Sequence, residues 1–591
     1  MNLPFRKSPG LSLPDRLFQP PRWHWTQAGE VGWWVSGEWR DALLGPSGLR
    51  LEEWRRRGKL TIVKDGPHRT VYRADLDEGT VYVKHFLVPN LRAKLRQWFR
   101  RGKGRNEGRR ARHLAEIGVS TITPIALGEQ RRHVLLLENY LVTHAIPESL
   151  PLDEFVERRL PEWPEPRRTR VRRLLARELA DLTARMHDAG FAHLDFHPGN
   201  ILIRMDPDDQ PRLSMIDLDA LRVTRPLGWA EAETNLSLLN HYFWMRSNRS
   251  DRLRFLNAYL QTRRSLPPDV RRFARSIESA TRDWAERLWR RWGRRCRGSN
   301  KYFDAYRGPN AHAIASRDLD PAAVHELLAD PDSPFRREGT VMLKDSRTTT
   351  VAETTMAVGG RSVRVIYKRF NRKKWLDPVL SLFRPSRAWQ AWQAGGHLSS
   401  RGLPTPQNLA VIARCRPFRR APLFWRLPHE TYVVTLKEEQ ALSLAEYVAR
   451  ILPTLDAQTR RAQITRLIVA LARLLRTLHE RSLSDRDLKA ANILIRTDPS
   501  DGAVSLSVID LVGVRLIHPL PRHRRVQNLA RLQISLSDVA GRSRTDALRF
   551  LRAYLPWGLT ARNDWKGLWR EIASSMQCKR ERNRRRGRIL S

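Results

Sequence analysis

Two carboxylates and a carboxamide recur twice along this chain at spacings that carry chemistry. In HLDFHPGNILI (193–203), Asp195 stands five residues before Asn200, in a loop held by Pro198 and Gly199. Asn200 opens the apolar run Ile201-Leu202-Ile203, and Asp217 closes a second run, RLSMID, that returns after a polar turn. Folded antiparallel, the two runs bring Asn200 and Asp217 to the open end of a hairpin, with Asp195 beside them. An oxygen-only set of this kind suits Mg²⁺. In SDRDLKAANILI (484–495) and SLSVIDL (505–511), Asp487, Asn492 and Asp510 repeat the arrangement. Each set has a lysine upstream on an alternating run: Lys84 in TVYVKHF and Lys368 in VRVIYKRF. A merely solvated turn would not recur with a lysine ahead of it in the same order.

The nearly constant offset between the matched residues marks a tandem duplication, a pattern to be sought before any other. Each copy begins with short alternating strands (LTIVKDGP, RTVYRAD and TVYVKHF in the first). A helical stretch follows, then an apolar strand, HVLLLENYLV or TYVVTLKEE. Long helices come next, with apolar residues at three-to-four spacing: Val171, Leu174, Leu175, Leu179, Leu182 and Met186, answered by Ile464, Leu467, Ile468, Leu471, Leu475 and Leu478. The hairpin and further helix close the copy. The expected fold class is α+β, with a small β-rich lobe and a helical lobe in each of two domains. The expected divisions are a Trp-rich leader (1–54), a first domain (55–316), an Asp/Pro-rich linker (317–337), a second domain (338–578) and a disordered basic tail (579–591).

A length of 591 residues with 41% hydrophobic and 29% charged residues describes a globular chain of several folding units. Its three cysteines, Cys296, Cys415 and Cys578, lie far apart, which excludes a disulfide scaffold and a zinc ribbon and favours a reducing compartment. The start lacks the apolar core of a secretory signal, and no segment is apolar for long enough to span a bilayer, so the chain is expected to be soluble or peripheral. The net charge of +45, spread over both halves, favours polyanions: nucleic acid, anionic lipid or a phosphorylated sugar. Nucleic acid has charge alone in its favour, without a recognisable recognition module.

The strand lysine, the D-x-x-x-x-N loop and the later aspartate resemble those of the protein-kinase-like superfamily. In closer detail, RTVYR with YVKHF, RGLPTP (401–406) and RDLKAANIL with VIDL resemble the lipopolysaccharide kinase (Kdo/WaaP) family, which phosphorylates Kdo or heptose in the inner core of lipopolysaccharide. The resemblance implies two tandem kinase-like domains, with ATP and Mg²⁺ as cofactors. It implies that Asp195 and Asp487 orient and deprotonate the attacking hydroxyl, and that Asn200, Asp217, Asn492 and Asp510 hold Mg²⁺. Lys84 and Lys368 would bind the α- and β-phosphates, with Glu107, on a helical pattern, pairing with Lys84. His197, and Lys489 in its place in the second copy, would face the transferred phosphate, while His193 holds the loop. Residues near Glu138 and Asn139 would form the adenine-binding hinge. The chain departs from the pattern in three places. Neither copy has a GxGxxG loop, KDGPHR (64–69) and KDSRTTT (344–350) standing there instead; Ala391 falls where Glu107 sits; and Asp485 replaces the usual histidine ahead of Arg486.

Basic amphipathic inserts follow each strand lysine. LRAKLRQWFRRGKGR (91–105) carries Leu91, Leu95, Trp98 and Phe99 on one stripe, and RKKWLDPVLSLFRPSR (372–387) carries Trp375, Leu376, Val379, Leu380 and Phe383. Such stripes either pack on their own small lobe or lie in an anionic membrane interface. The expected protein is therefore a lipopolysaccharide-core kinase at the cytoplasmic face of a membrane. The alternatives are a protein or small-molecule kinase on the same fold, or one active domain fused to a regulatory pseudokinase.

Overall fold

The computed structural model describes residues 23–66, 69–87, 102–132, 135–308, 310–371, 385–415, 428–498, 502–536, 543–555 and 561–585. The chain divides into two compact units, Met1–Glu286 and Arg287–Ser591, and the division falls inside the long helix Val270–Arg295. Each unit carries a seven-stranded antiparallel sheet with a helical lobe after it, an α+β architecture of protein-kinase-like type present twice.

In the first unit the strand order across the sheet is Trp23–Ala28, Val31–Ser36, Pro124–Arg132, Leu135–His144, Gly79–Leu87, Arg69–Leu76 and Leu60–Lys64. The alternation of the lysine strand Gly79–Leu87 decides what each face meets. Val81 and Val83 are buried on one face, packed with Trp39, Leu43 and Trp54 from the short helical turns at Gly37–Trp39, Arg40–Leu43 and Leu51–Arg56. Lys84 and Phe86 fall on the other face. There the helix Lys103–Glu116 sets Ala111 and Leu114 against Phe86, Leu127 and Leu141. That cluster continues into the helical lobe, where Val171, Leu175, Leu179, Leu182 and Met186 form the buried stripe of the helix Arg167–Asp188.

The second unit repeats the order with Phe303–Arg307, Ala311–Ser316, Asn408–Cys415, Pro428–Leu436, Arg361–Phe370, Thr349–Val358 and Val341–Ser346. Val324, Leu327 and Leu328 of the helix Pro321–Ala329, with Phe335, cover one face. The helix Arg387–Ser400 sends Ala391, Ala394 and Leu398 into the core of the helical lobe, where Leu467, Leu471, Leu475 and Leu478 of the helix Ala457–Glu480 meet them.

The structure moves the expected domain boundaries. Residues 23–56 are not a leader but the outer two strands and the helical cover of the first sheet. Phe303–Arg307 and Ala311–Ser316 are strands of the second sheet, and the stretch 317–337 carries that sheet's helical cover rather than a linker. The reason is the need to pair a strand edge and bury an apolar sheet face. The repeating unit therefore starts near residues 23 and 303, and its first part differs between the copies in which strand carries the large residue. In the first sheet Trp33 lies opposite Gly128, where an added Cβ would fall 2.8 Å from the indole ring. At the matching point of the second sheet Ala313 lies opposite Ile412, so the large residue has moved to the neighbouring strand. The basic end also differs from expectation: Lys579–Arg585 continue the helix Ala561–Arg585, whose Leu568 and Ile572 anchor it in the core. The apolar stripes of both amphipathic inserts lie outside the described residues.

This exchange predicts a rescue. Trp33→Ala should cost about 3–5 kcal/mol, and Gly128→Ile in the same background should recover part of that in denaturant titrations of the full chain. A double variant no more stable than Trp33→Ala alone would show that the two pairs are not equivalent.

Candidate active site

The hairpin forms as its sequence requires. Strands Ile201–Met205 and Pro211–Met215 pair antiparallel with Ile201 opposite Met215. The Ile216 amide donates to the Asn200 carbonyl at 3.0 Å, which holds Asn200 beside the chain leading to Asp217. Asp217 has a left-handed backbone, φ 54° and ψ 53°, and Asp510 repeats it at 53° and 58°. That conformation is uncommon outside glycine and tolerated best by Asp and Asn. Asn200 Nδ2 donates to the Asp195 carbonyl at 2.9 Å, joining loop to hairpin and leaving Oδ1 as the acceptor.

Asp195 itself is exposed, with His197 Nε2 3.6 Å from its carboxylate. The two shift each other: the His197 ring holds the Asp195 carboxyl below the usual range, and Asp195 raises His197. His197 Nδ1 accepts from the Gly199 amide at 3.1 Å, so the ring is anchored to its own loop. His193 is fully buried, and its Nδ1 accepts from the Asp195 amide at 3.2 Å. Burial pushes its pKa down to about 4, which keeps it neutral.

Lys84 Nζ makes an ion pair with Glu107 of the helix Lys103–Glu116. Glu107 is fully buried and also accepts from the Leu218 amide at 3.3 Å, one residue past Asp217. Asp217 is gripped from the opposite strand by Arg69, whose two nitrogens lie 2.8 and 3.3 Å from its carboxylate oxygens. Burial would raise Asp217, but Arg69, Lys84 and Lys64 outweigh it and hold the carboxyl below its usual value. Arg110 donates to the Leu218 and Asp219 carbonyls, both at 3.0 Å.

The second copy has the same loop and different ion pairs. Asn492 Nδ2 donates to the Asp487 carbonyl at 2.9 Å and lies 3.2 Å from its Oδ2, while Lys489 stands 3.7 Å from the same carboxylate. Ala391 is buried on the helix that answers the Glu107 helix, and the adjacent Gln390 accepts from Arg515. Lys368 therefore turns to Asp510, at 2.8 Å. Thr349 stands opposite Phe370 as Arg69 stands opposite Phe86, so no arginine reaches Asp510 from that point. Asp485, in the position of His193, accepts from the Asp487 amide at 2.9 Å; its other oxygen is buried without a partner. Burial pushes Asp485 up to about 6.

Sequence reasoning placed the hinge wrongly. The strand Leu135–His144 continues past Glu138 and Asn139, and both are committed to the small lobe: Glu138 to His85 and Tyr140, Asn139 to the Gly104 amide at 2.8 Å. The crossing to the helical lobe comes after His144. Reasoning also missed the layer beneath the loop. Asn235 Nδ2 donates to the His193 carbonyl at 2.6 Å, its Oδ1 accepts from His187 Nε2 at 3.0 Å, and His187 Nδ1 accepts from the Tyr259 hydroxyl at 2.8 Å. Asn528, His479 and Tyr554 repeat it: with the amide turned as in Asn235, Asn528 donates to the Asp485 carbonyl at 2.8 Å. The recurrence of His, Asn and Tyr in both copies was the available signal.

Among the described residues no three His, Cys, Asp or Glu side chains gather to hold a metal. The Asp217 carboxylate and Asn200 Oδ1 nonetheless fit a Mg²⁺ ion that takes its remaining oxygens from water and phosphate.

The lipopolysaccharide kinase (Kdo/WaaP) family model matches twice, over residues 56–259 and 338–554. The chain belongs to that family. Among curated relatives, the lipopolysaccharide core heptose(I) kinase WaaP of Pseudomonas aeruginosa is 32% identical over 166 residues, 27% of this chain and 59% of the relative. The protein of the same description from Escherichia coli K12 is 26% identical over 136 residues, 22% of this chain and 48% of the relative. The chain thus spans about half the length of these relatives in each match. A solved structure of WaaP in complex with acyl carrier protein matches at 23% identity and a TM-score of 0.29, over 40% of this chain and 90% of that one.

The residues at the head of the two loops predict opposite responses to acid. Asp485 is raised on folding, so its contribution is present below about pH 4 and lost as pH rises to about 6. At neutral pH that costs about 3 kcal/mol. His193 is lowered, so its contribution is present above about pH 6.5 and lost as pH falls towards 4. Asp485→Asn should therefore gain stability over wild type in urea titrations at pH 7 relative to pH 4.5. An equal difference at both pH values would refute the assignment.

Proposed function

We propose that the chain is an ATP- and Mg²⁺-dependent kinase that transfers the γ-phosphoryl group of ATP to a sugar hydroxyl of the lipopolysaccharide inner core. The observation that carries this is the first copy's constellation in a member of the family. A strand lysine is paired to a buried helix glutamate, and an exposed ionised Asp195 is tied to Asn200, which the hairpin sets beside the chain leading to Asp217. The curated relatives named above are described as heptose(I) kinases, which favours heptose over Kdo as the acceptor.

In this reading Asp195 accepts a hydrogen bond from the acceptor hydroxyl and takes its proton, an effect worth typically 10²–10⁴-fold. His197, held beside it, faces the transferred group. Lys84, kept in place by Glu107, binds the α- and β-phosphates. Asn200 and Asp217 would hold Mg²⁺, which when bound neutralises charge on the phosphates. Asp487, Lys489, Asn492, Asp510 and Lys368 take the matching roles in the second copy. There the pair of Lys368 with Asp510 and the alanine at 391 favour a weaker or regulatory site. The strong positive charge suits a phosphorylated glycolipid and an anionic membrane surface. A peripheral position on the cytoplasmic face fits it, and no described helix is long and apolar enough to cross a membrane.

Transfer of labelled γ-phosphate from ATP to inner-core lipopolysaccharide tests the reading. Asp195→Asn should lose about 10²–10⁴-fold in rate, and Asp487→Asn should lose far less. Wild-type protein that binds ATP but transfers nothing to lipopolysaccharide would remove the acceptor assignment; equal losses in the two variants would make both copies working sites.

A further inference from the structure

Neither copy has the glycine-rich turn whose backbone covers nucleotide phosphates in protein kinases. What the first copy has at that place is Arg69, the first residue of the strand Arg69–Leu76. The register sets Val71 opposite Lys84 and Arg69 opposite Phe86, and the alternation of the strands puts Arg69, Val71 and Lys84 on one face, the face towards Asp217. Arg69 lies two residues nearer the turn than Lys84's partner, on the side away from the strand's interior. Its side chain is only 20% exposed, and its guanidinium forks onto both oxygens of Asp217.

A guanidinium fork fits a carboxylate and a phosphate equally well, because both present two oxygens in a plane. If Asp217 turns an oxygen to a cation, Arg69 loses part of its partner in a half-buried cleft, where a bare charge is costly. The next anion within the same cleft is the outer end of a nucleotide whose inner phosphates sit on Lys84. We propose that Arg69 is a phosphate-binding residue of the first copy, exchanging its grip on Asp217 for the terminal phosphate of ATP and replacing the missing glycine-rich cover. The second copy, with Thr349 at this position and Lys368 on Asp510, lacks the device. The inference rests on the reading of the first cleft as the ATP site.

Binding of ATP and of ADP, each with Mg²⁺, to the full chain measured by calorimetry tests it. Lys368→Ala is carried throughout to suppress the second copy. Arg69→Ala should weaken ATP about tenfold or more while ADP stays within about twofold, and Arg69→Lys should fall between. Arg73→Ala, on the same strand but exposed and paired to Asp75, should match the background, and melting curves check that each variant folds. Unchanged or tighter ATP binding in Arg69→Ala would mean that Arg69 merely holds Asp217. Equal losses for ATP and ADP would mean that the cleft has been damaged generally; either result overturns the proposal. Absence of ATP binding by the Lys368→Ala background would bring down the ATP reading of the first cleft as well.

Discussion

A carboxylate with no solvent exposure must be answered by a cation, and in the first copy that requirement sets Glu107 against Lys84. Leaving either one alone would cost several kcal/mol, so helix and sheet are tied at one point. The same carboxylate reaches the Leu218 amide and so fixes the backbone beside Asp217. One buried group thereby links three elements: the lysine strand, the helix Lys103–Glu116 and the end of the hairpin. Where the carboxylate is missing, at Ala391, the answering helix Arg387–Ser400 still forms but the charges rearrange, and Lys368 pairs with the aspartate that its counterpart leaves to arginine.

The two copies show which features the fold needs and which it can exchange. The Tyr–His–Asn chain under the Asp195 and Asp487 loops is the same in both, because a loop carbonyl buried beside a helix has to be hydrogen bonded. The packing of the outer strands is not the same. It needs one large and one small side chain across the strand pair, and either strand can supply the large one. The position ahead of the loop needs only an acceptor for the next amide but one, which neutral His193 and Asp485 both provide, at opposite cost in acid.

Much of the site was legible because it is local. Asp195, Asn200 and Asp217 lie within one hairpin and the loop that leads into it, and a period-two run on either side of a turn is enough to bring two of them together. The pairing of Lys84 with Glu107 was also accessible from helical spacing and the resemblance to kinases. Arg69 was not, although RTVYR begins with it, because its partner lies 148 residues away and the motif does not show what the guanidinium meets. The hinge failed for a different reason: the strand Leu135–His144 keeps its alternation through Glu138 and Asn139, so nothing local shows where it leaves the sheet.

By itself the sequence determined the duplication, the lobe order and the oxygen donors of each hairpin, all of which depend on spacing within a short stretch or on repetition of it. The tertiary structure decided where each repeat begins, which cation each aspartate holds and where the chain crosses between lobes. Those depend on sheet neighbours far apart in the chain, where volume and charge can be supplied from either side, and linear spacing carries no record of which side supplies them.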